Sequence, residues 1–304
     1  MIKRKIFVKE IIDFLGNHIL STAGELEKVY IDNLSDAEHT NETTLDWVIA
    51  KRNDKQDIVE KSAAKVILVD KEIVYTESMD AQGKILLYVD SPKLCLAKIG
   101  NHFFVKRPLP GIHSTAVVDT NAKIGRGVYI GPYCVIGKCT IGDGTIIDSH
   151  VRIYDNVVLG KNCNIKTSAV IGGEGFGFEK DENGNRFRFP QLGDVIIGDN
   201  VEIGSHSCID RGALSSTIIG DNTKINNLCH IAHNNKIGKN VVIAAEVNIS
   251  GGNIIDDDCW IAPSSSIVGY LHIGKGATVG MGAVVLKNIP SEEVWVGNPA
   301  KKLR

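Results

Sequence analysis

The chain contains no run of 18 or more apolar residues, and its first stretch, Met1–Asp13, carries charge throughout. A membrane-spanning helix and a secretion signal are both disfavoured on that ground. An excess of one charge sign is also missing: 34 Lys and Arg stand against 36 Asp and Glu, and no basic run carries interleaved aromatics. That balance argues against a nucleic-acid surface. The seven cysteines include no CxxC pair, and the histidines include no His-x4-His spacing. Neither a redox motif nor a metal site is therefore expected, and reduced thiols suggest a cytoplasmic protein.

What the chain does have is a hexad. Ile219, Ile225 and Ile231 open a ladder that runs at a strict step of six to Ile273, Val279 and Val285. An α-helix repeats at about 3.6 residues and a flat strand at 2, so neither explains a period of six. A β-helix does: the chain winds around a three-sided prism, with one short strand and one inward aliphatic residue per face. The same pattern starts near Val118. It shortens by one residue between Ile136 and Ile141, lapses between Gly172 and Asp194, and skips again at Asp210–Ala213. Ladder residues are often followed by Gly or Asp, which suits corners that need unusual backbone angles. Cys134, Cys163, Cys229 and Cys259 each fall four residues after a ladder position, as small side chains near a tight interior.

The expected fold is thus mainly β, a parallel β-helix over residues 108–304 with an inserted loop at 173–194. Residues 1–107 show no hexads. They hold a helix pattern at Val8–Leu20, strand-like runs at Lys65–Val69 and Ile85–Val89, and a second helix pattern at Pro92–Ile99, which together read as a small α/β unit. Pro108-Leu109-Pro110-Gly111 reads as the linker between them.

A prism filled with isoleucine leaves no room for a substrate, so chemistry belongs at corners, inserts or grooves between subunits. His233 falls two places after Ile231, hence at a corner and facing outward. Gly251 lies eighteen residues on, one whole coil, and should stack on the same edge. An imidazole beside a glycine N–H makes an acyl-transfer pair, a base and an oxyanion donor. His206, His230, His233 and His272 fall at different places in the hexad and need not converge on a metal.

Gly175-Phe-Gly-Phe178, Pro190-Gln-Leu-Gly193, Ile209-Asp-Arg-Gly-Ala-Leu214 and Ile231-Ala-His-Asn234 occur here in an order that resembles the UDP-3-O-(3-hydroxyacyl)glucosamine N-acyltransferase family of lipid A synthesis. The resemblance implies a left-handed β-helix assembled as a homotrimer. It implies transfer of an acyl group from a phosphopantetheine thioester, on acyl carrier protein, to the amine of a nucleotide-linked sugar, with no permanently bound cofactor. On this chain the family's catalytic histidine falls on His233 and its oxyanion donor on Gly251. Substrate contacts fall on Asn227 and, in the N-terminal unit, on Trp47; Phe176, Phe178 and Gln191 of the insert are further substrate-site candidates.

Three places depart from the family pattern. Asn53 stands near the second aromatic of the nucleotide clamp, and Tyr270 replaces a frequent histidine. The ending Gly297-Asn298-Pro299-Ala300-Lys301 is similar to that of small coenzyme A-dependent hexapeptide acyltransferases. On that second reading Gly280, Gly282, Ala283 and Lys287 would hold acyl-CoA, for another UDP- or dTDP-linked amino sugar. A binding or scaffold β-helix without chemistry is the third reading, disfavoured by the His233–Gly251 pair.

Overall fold

A computed structural model describes residues 5–49 and 51–304. The chain forms two compact units, Met1–Arg107 and Pro108–Arg304. In the first, β1 (Ile6–Phe7) pairs antiparallel with β3 (Tyr30–Ile31). A separate four-stranded sheet runs in the order β2 (Ile19–Ala23), β6 (Ile85–Val89), β5 (Val66–Val69), β4 (Leu45–Trp47). The strand β5 is buried at every residue because helices cover both faces. Val66 and Leu68 meet Val8, Ile11 and Leu15 of α1 (Val8–Leu15) and Cys95 and Ile99 of α4 (Pro92–Ile99). Ile67 and Val69 face the other way, onto Val59 of α2 (Lys55–Lys61) and Met79 of α3 (Glu77–Ala81).

The expected helix Val8–Leu20 is shorter than its pattern. Gly16 takes φ +50 and ends α1; a single 3-10 turn follows, and Ile19–Ala23 becomes a strand against β6. A positive φ that glycine adopts readily ends the helix, and pairing to β6 then outcompetes the local helical pattern.

The second unit is a left-handed parallel β-helix of three sheets, with 11, 9 and 8 strands. Face one runs from Gly111–Ile112 to Val294–Val296, with Lys301–Lys302 turned back antiparallel on its end. Face two runs from Val117–Val118 to Val284–Val285, and face three from Lys123–Ile124 to His272–Ile273. Successive coils pair in register eighteen residues apart, as Ile231 with Ile249 and Ile249 with Ile267. Inward isoleucines stack into one continuous core, and the typical strand is exposed at its first residue and buried at its second, as in Lys236–Ile237. Cys134, Cys163, Cys229 and Cys259 lie in that core as free thiols. Burial pushes the thiols of Cys139 and Cys259 up to about 11. Among the described residues no helix is long and apolar enough to cross a membrane.

The corners correct one expectation. Most glycines directly after a ladder residue are not there for left-handed angles; Gly172, where the insert departs at φ +86, is the exception. A β-carbon at Gly160 would lie 2.3 Å from the Gly198 oxygen, and one at Gly204 2.3 Å from the Asn226 carbonyl carbon. Close approach of the next coil excludes a side chain. The left-handed residue comes two places later, as at Asn222, Asn234 and Asn240, with φ of 60, 62 and 56.

Candidate active site

Both interruptions of the hexads leave the prism at one edge, between faces two and three. The first follows the strand Val170–Gly173 and carries a hairpin, Phe178–Lys180 with Arg186–Arg188. The second follows Cys208–Asp210. They bind each other, the Gly193 N–H donating to the carbonyls of Gly212 and Ala213. Arg211 staples them down, its Nε donating to the Gly172 oxygen at 2.8 Å and its Nη2 to the Asp155 oxygen at 3.1 Å.

His233 stands on this edge, directly beyond the inserts. Its turn is held from inside by a ladder of fully buried asparagines. Asn235 Nδ2 donates to the Ala232 oxygen at 2.7 Å, and its Oδ1 accepts the Asn253 N–H at 2.9 Å. The imidazole lies between two glycines. A β-carbon on Gly251 would fall 2.6 Å from Cε1 and 2.8 Å from Nε2; one on Gly175 would fall 2.9 Å from Cβ and Cδ2. Residues 251 and 175 must be glycine for the ring to occupy that slot.

The ring nitrogens are distinguishable. Nδ1 lies 3.0 Å from Oδ1 of Asn234. That oxygen also accepts the Ala213 N–H at 3.0 Å, while Asn234 Nδ2 donates to Ser215 Oγ at 2.8 Å. A backbone N–H is always a donor, so the amide orientation is fixed and Nδ1 must carry the proton. Nε2 is then left as a bare base. Asn234 was quoted in the sequence only as part of a motif; its place immediately after His233 was the available signal.

Gly251 supplies the complementary group. Six corner residues of the chain have their N–H capped by an Asp or Asn two places past the ladder in the next coil: Arg126, Lys138, Lys161, Asp199, Ser205 and Lys239. The position that would cap Gly251 is Gly269, and among the described residues the Gly251 N–H has no partner. The edge thus presents a bare imidazole nitrogen beside a free peptide donor.

The other sequence-predicted residues divide. Gln191 is brought to the site: it is 8% exposed, and its Oε1, which has no hydrogen-bond partner among the described residues, sits 2.6 Å from where a Gly175 β-carbon would be. Phe176 and Phe178 pack edge to face at 4.9 Å on the insert, with Phe176 82% exposed. Asn227 is on a different edge of the same chain, between faces one and two, where its Oδ1 caps the Ser205 N–H at 2.7 Å. Gly280 and Gly282 share that other edge, whereas Lys287 stands on the His233 edge, three coils beyond it. Ala283 does not fit the ligand contact expected of it. Its methyl is fully buried in the core, its N–H donates to Gly280 and its carbonyl accepts from Ser266. Trp47 lies half-buried on the sheet-edge strand β4 of the N-terminal unit, and Asn53 is exposed.

Outside the edge, His230 Nε2 meets Asp210 Oδ2 at 3.0 Å and His272 Nε2 meets Asp256 Oδ2 at 2.8 Å. The hydrogen bond to Asp210 raises the His230 imidazole above its ordinary value against an opposing effect of burial. Among the described residues no group of three or more His, Cys, Asp or Glu is placed to hold a metal ion.

A three-faced β-helix with an imidazole and a free peptide donor on one edge defines a hexapeptide-repeat acyltransferase. The family model "Bacterial transferase hexapeptide (six repeats)" matches residues 138–173. The chain is 37% identical to UDP-3-O-acylglucosamine N-acyltransferase 1 of Francisella tularensis subsp. holarctica, over 97% of this chain and 90% of that protein. It is 35% identical to the UDP-3-O-acylglucosamine N-acyltransferase of Bordetella pertussis, over 77% of this chain and 72% of that protein. Among solved structures it resembles the UDP-N-acetylglucosamine acyltransferase of Francisella novicida, at 33% identity and a TM-score of 0.57, covering 63% of this chain and 68% of that one. The chain belongs to the UDP-3-O-acylglucosamine N-acyltransferase family, and it is an N-acyltransferase.

Proposed function

We propose that the protein transfers an acyl group from a phosphopantetheine thioester to the amine of a UDP-linked 3-O-acylglucosamine. The observation that carries this reading is the stacking of the His233 imidazole on Gly251, with Nε2 and the Gly251 N–H both unengaged among the described residues. Nε2 takes a proton from the sugar amine as its nitrogen attacks the thioester carbon. The Gly251 N–H meets the charge on the tetrahedral oxygen. The carbon–sulfur bond then breaks, and the imidazolium returns its proton to the departing thiolate. The unpaired Gln191 Oε1 supports a hydrogen bond from the acceptor, because a buried acceptor atom demands a donor.

Lys287 lies three strand spacings from His233 along one edge, about 14 Å at 4.8 Å each, a place suited to the phosphate of the pantetheine arm. That arm is shared by acyl carrier protein and coenzyme A. Gly280 and Gly282, on the other edge, would meet the donor only across a subunit boundary. Asn227 would reach the acceptor in the same way, which supports assembly as a homotrimer. Trp47 is assigned to the nucleotide and Phe176 and Phe178 to the acyl groove. Seven free cysteines are in keeping with a cytoplasmic location.

The test is His233→Ala, assayed with acyl carrier protein and acyl-CoA donors against UDP-3-O-acylglucosamine. Turnover should fall by about 100-fold or more while the thermal midpoint holds. Near-normal turnover would remove His233 from the reaction, and amide formation with CoA donors alone would replace the carrier-protein reading.

A further inference from the structure

The N-terminal unit holds a second cleft that acyl transfer does not use. After α4 the chain makes a π-helical turn, Gly100–Phe104. Such turns are rare and concentrate at functional sites. This one lays the His102 ring on Phe14 of α1, with centroids 4.2 Å apart and planes 18° from parallel. Beside the stacked pair opens a cleft of about 560 Å3, lined by Phe14, Lys98, Asn101, His102, Val105 and Arg107.

The polar lining is two cations, one amide and the His102 imidazole, with no carboxylate in it. Among the described residues neither Lys98 nor Arg107 forms an ion pair, although many other surface cations of this chain do. Lys98 is half-buried, and its nearest polar partner is Nε2 of His18, at 2.5 Å. An ammonium can donate there only to an unprotonated ring nitrogen, which leaves two N–H groups unspent. Those N–H groups and the Arg107 guanidinium are donors lining the cleft without an anionic acceptor among the described residues. Around it, Phe14 and Val105 expose apolar surface, at 38% and 54%.

We propose that this cleft binds a phosphate ester. The phosphoryl oxygens accept from the Lys98 ammonium and the Arg107 guanidinium. The esterified group, planar or aliphatic, lies on Phe14 and Val105. Two sources carry that chemistry, a soluble phosphorylated metabolite and an anionic lipid headgroup.

Calorimetric titration of the full-length chain with inorganic phosphate and with phenyl phosphate tests the soluble source. Co-sedimentation with phosphatidylglycerol vesicles tests the lipid. Binding to at least one probe is expected, weakened at least about tenfold in both Lys98→Glu/Arg107→Glu and the milder Lys98→Met/Arg107→Met. No binding of any probe to the native chain would overturn the site, as would undiminished binding in a double variant whose thermal midpoint matches the native one. Because the readout is binding alone, it stands or falls separately from acyl transfer.

Discussion

Asn234 Oδ1 accepts from both the Ala213 N–H and the His233 ring, at 3.0 Å each. A neighbour in sequence thereby decides which imidazole nitrogen is basic. Replacing Asn234 with Leu frees the ring to rotate or to change tautomer. kcat should fall by about 10- to 100-fold with KM little changed, and Asn234→Asp, which keeps the acceptor, should retain more activity than Leu. Equal loss in the two variants would detach Asn234 from the tautomer.

Gly251→Ala places a methyl where the imidazole now lies, 2.6 Å from Cε1. The obstruction is a side chain rather than a coil, so the ring is displaced and the prism is kept. Turnover should drop by about 100- to 1,000-fold while the unfolding midpoint stays near the native value. Retained turnover would show that the slot is not the working position of the ring.

Gly269→Asn should close the peptide donor. Every Asp or Asn at this corner position in the prism caps the N–H one coil earlier, as Asn227 caps Ser205 and Asp257 caps Lys239. A β-carbon at 269 would lie 2.7 Å from the Gly251 oxygen, so the coil must give slightly to admit either substitution; an asparagine that then caps Gly251 should slow exchange of its amide hydrogen and lower kcat by about 100-fold. Gly269→Ala adds the β-carbon without the cap and should be less damaging. Equal kcat in the two variants would refute a role for the donor.

The His230–Asp210 pair gives a pH dependence with a definite sign. The hydrogen bond to Asp210 raises the folded-state value of His230 above that of the unfolded chain. Its stabilisation is complete below the unfolded value of about 6.5 and disappears as pH rises through the folded one. Asp210→Asn should therefore lower the thermal midpoint more at pH 5.5 than at pH 8.5. His230 is partly solvated, its side chain 46% exposed, so the effect is small. An NMR titration of His230 that does not move in the variant would disprove the coupling.

Much of this was legible in the residues, for a physical reason. A six-residue period allows one winding, so three faces, an isoleucine core and the stacking of Gly251 on His233 all follow from spacing. The phase of the hexad also puts Asn227 one edge away from His233 within a chain, since six residues carry the chain to the next edge. The contacts of Gly175, Gln191 and Asn234 were not legible. They depend on how two aperiodic inserts fold back across an edge, and no repeat governs that path. In the N-terminal unit the helical pattern ran through Gly16 because apolar periodicity continues into Ile19, whereas the backbone turns at the glycine and pairs with β6.

Because each coil touches only its neighbours, distance along the His233 edge is counted in whole turns. Inserting eighteen residues between Gly269 and Lys287 would carry the lysine about 4.8 Å further from His233 and leave the imidazole untouched. Reach for a donor of different length is therefore available to evolution in discrete increments, by duplicating a turn instead of reshaping a pocket.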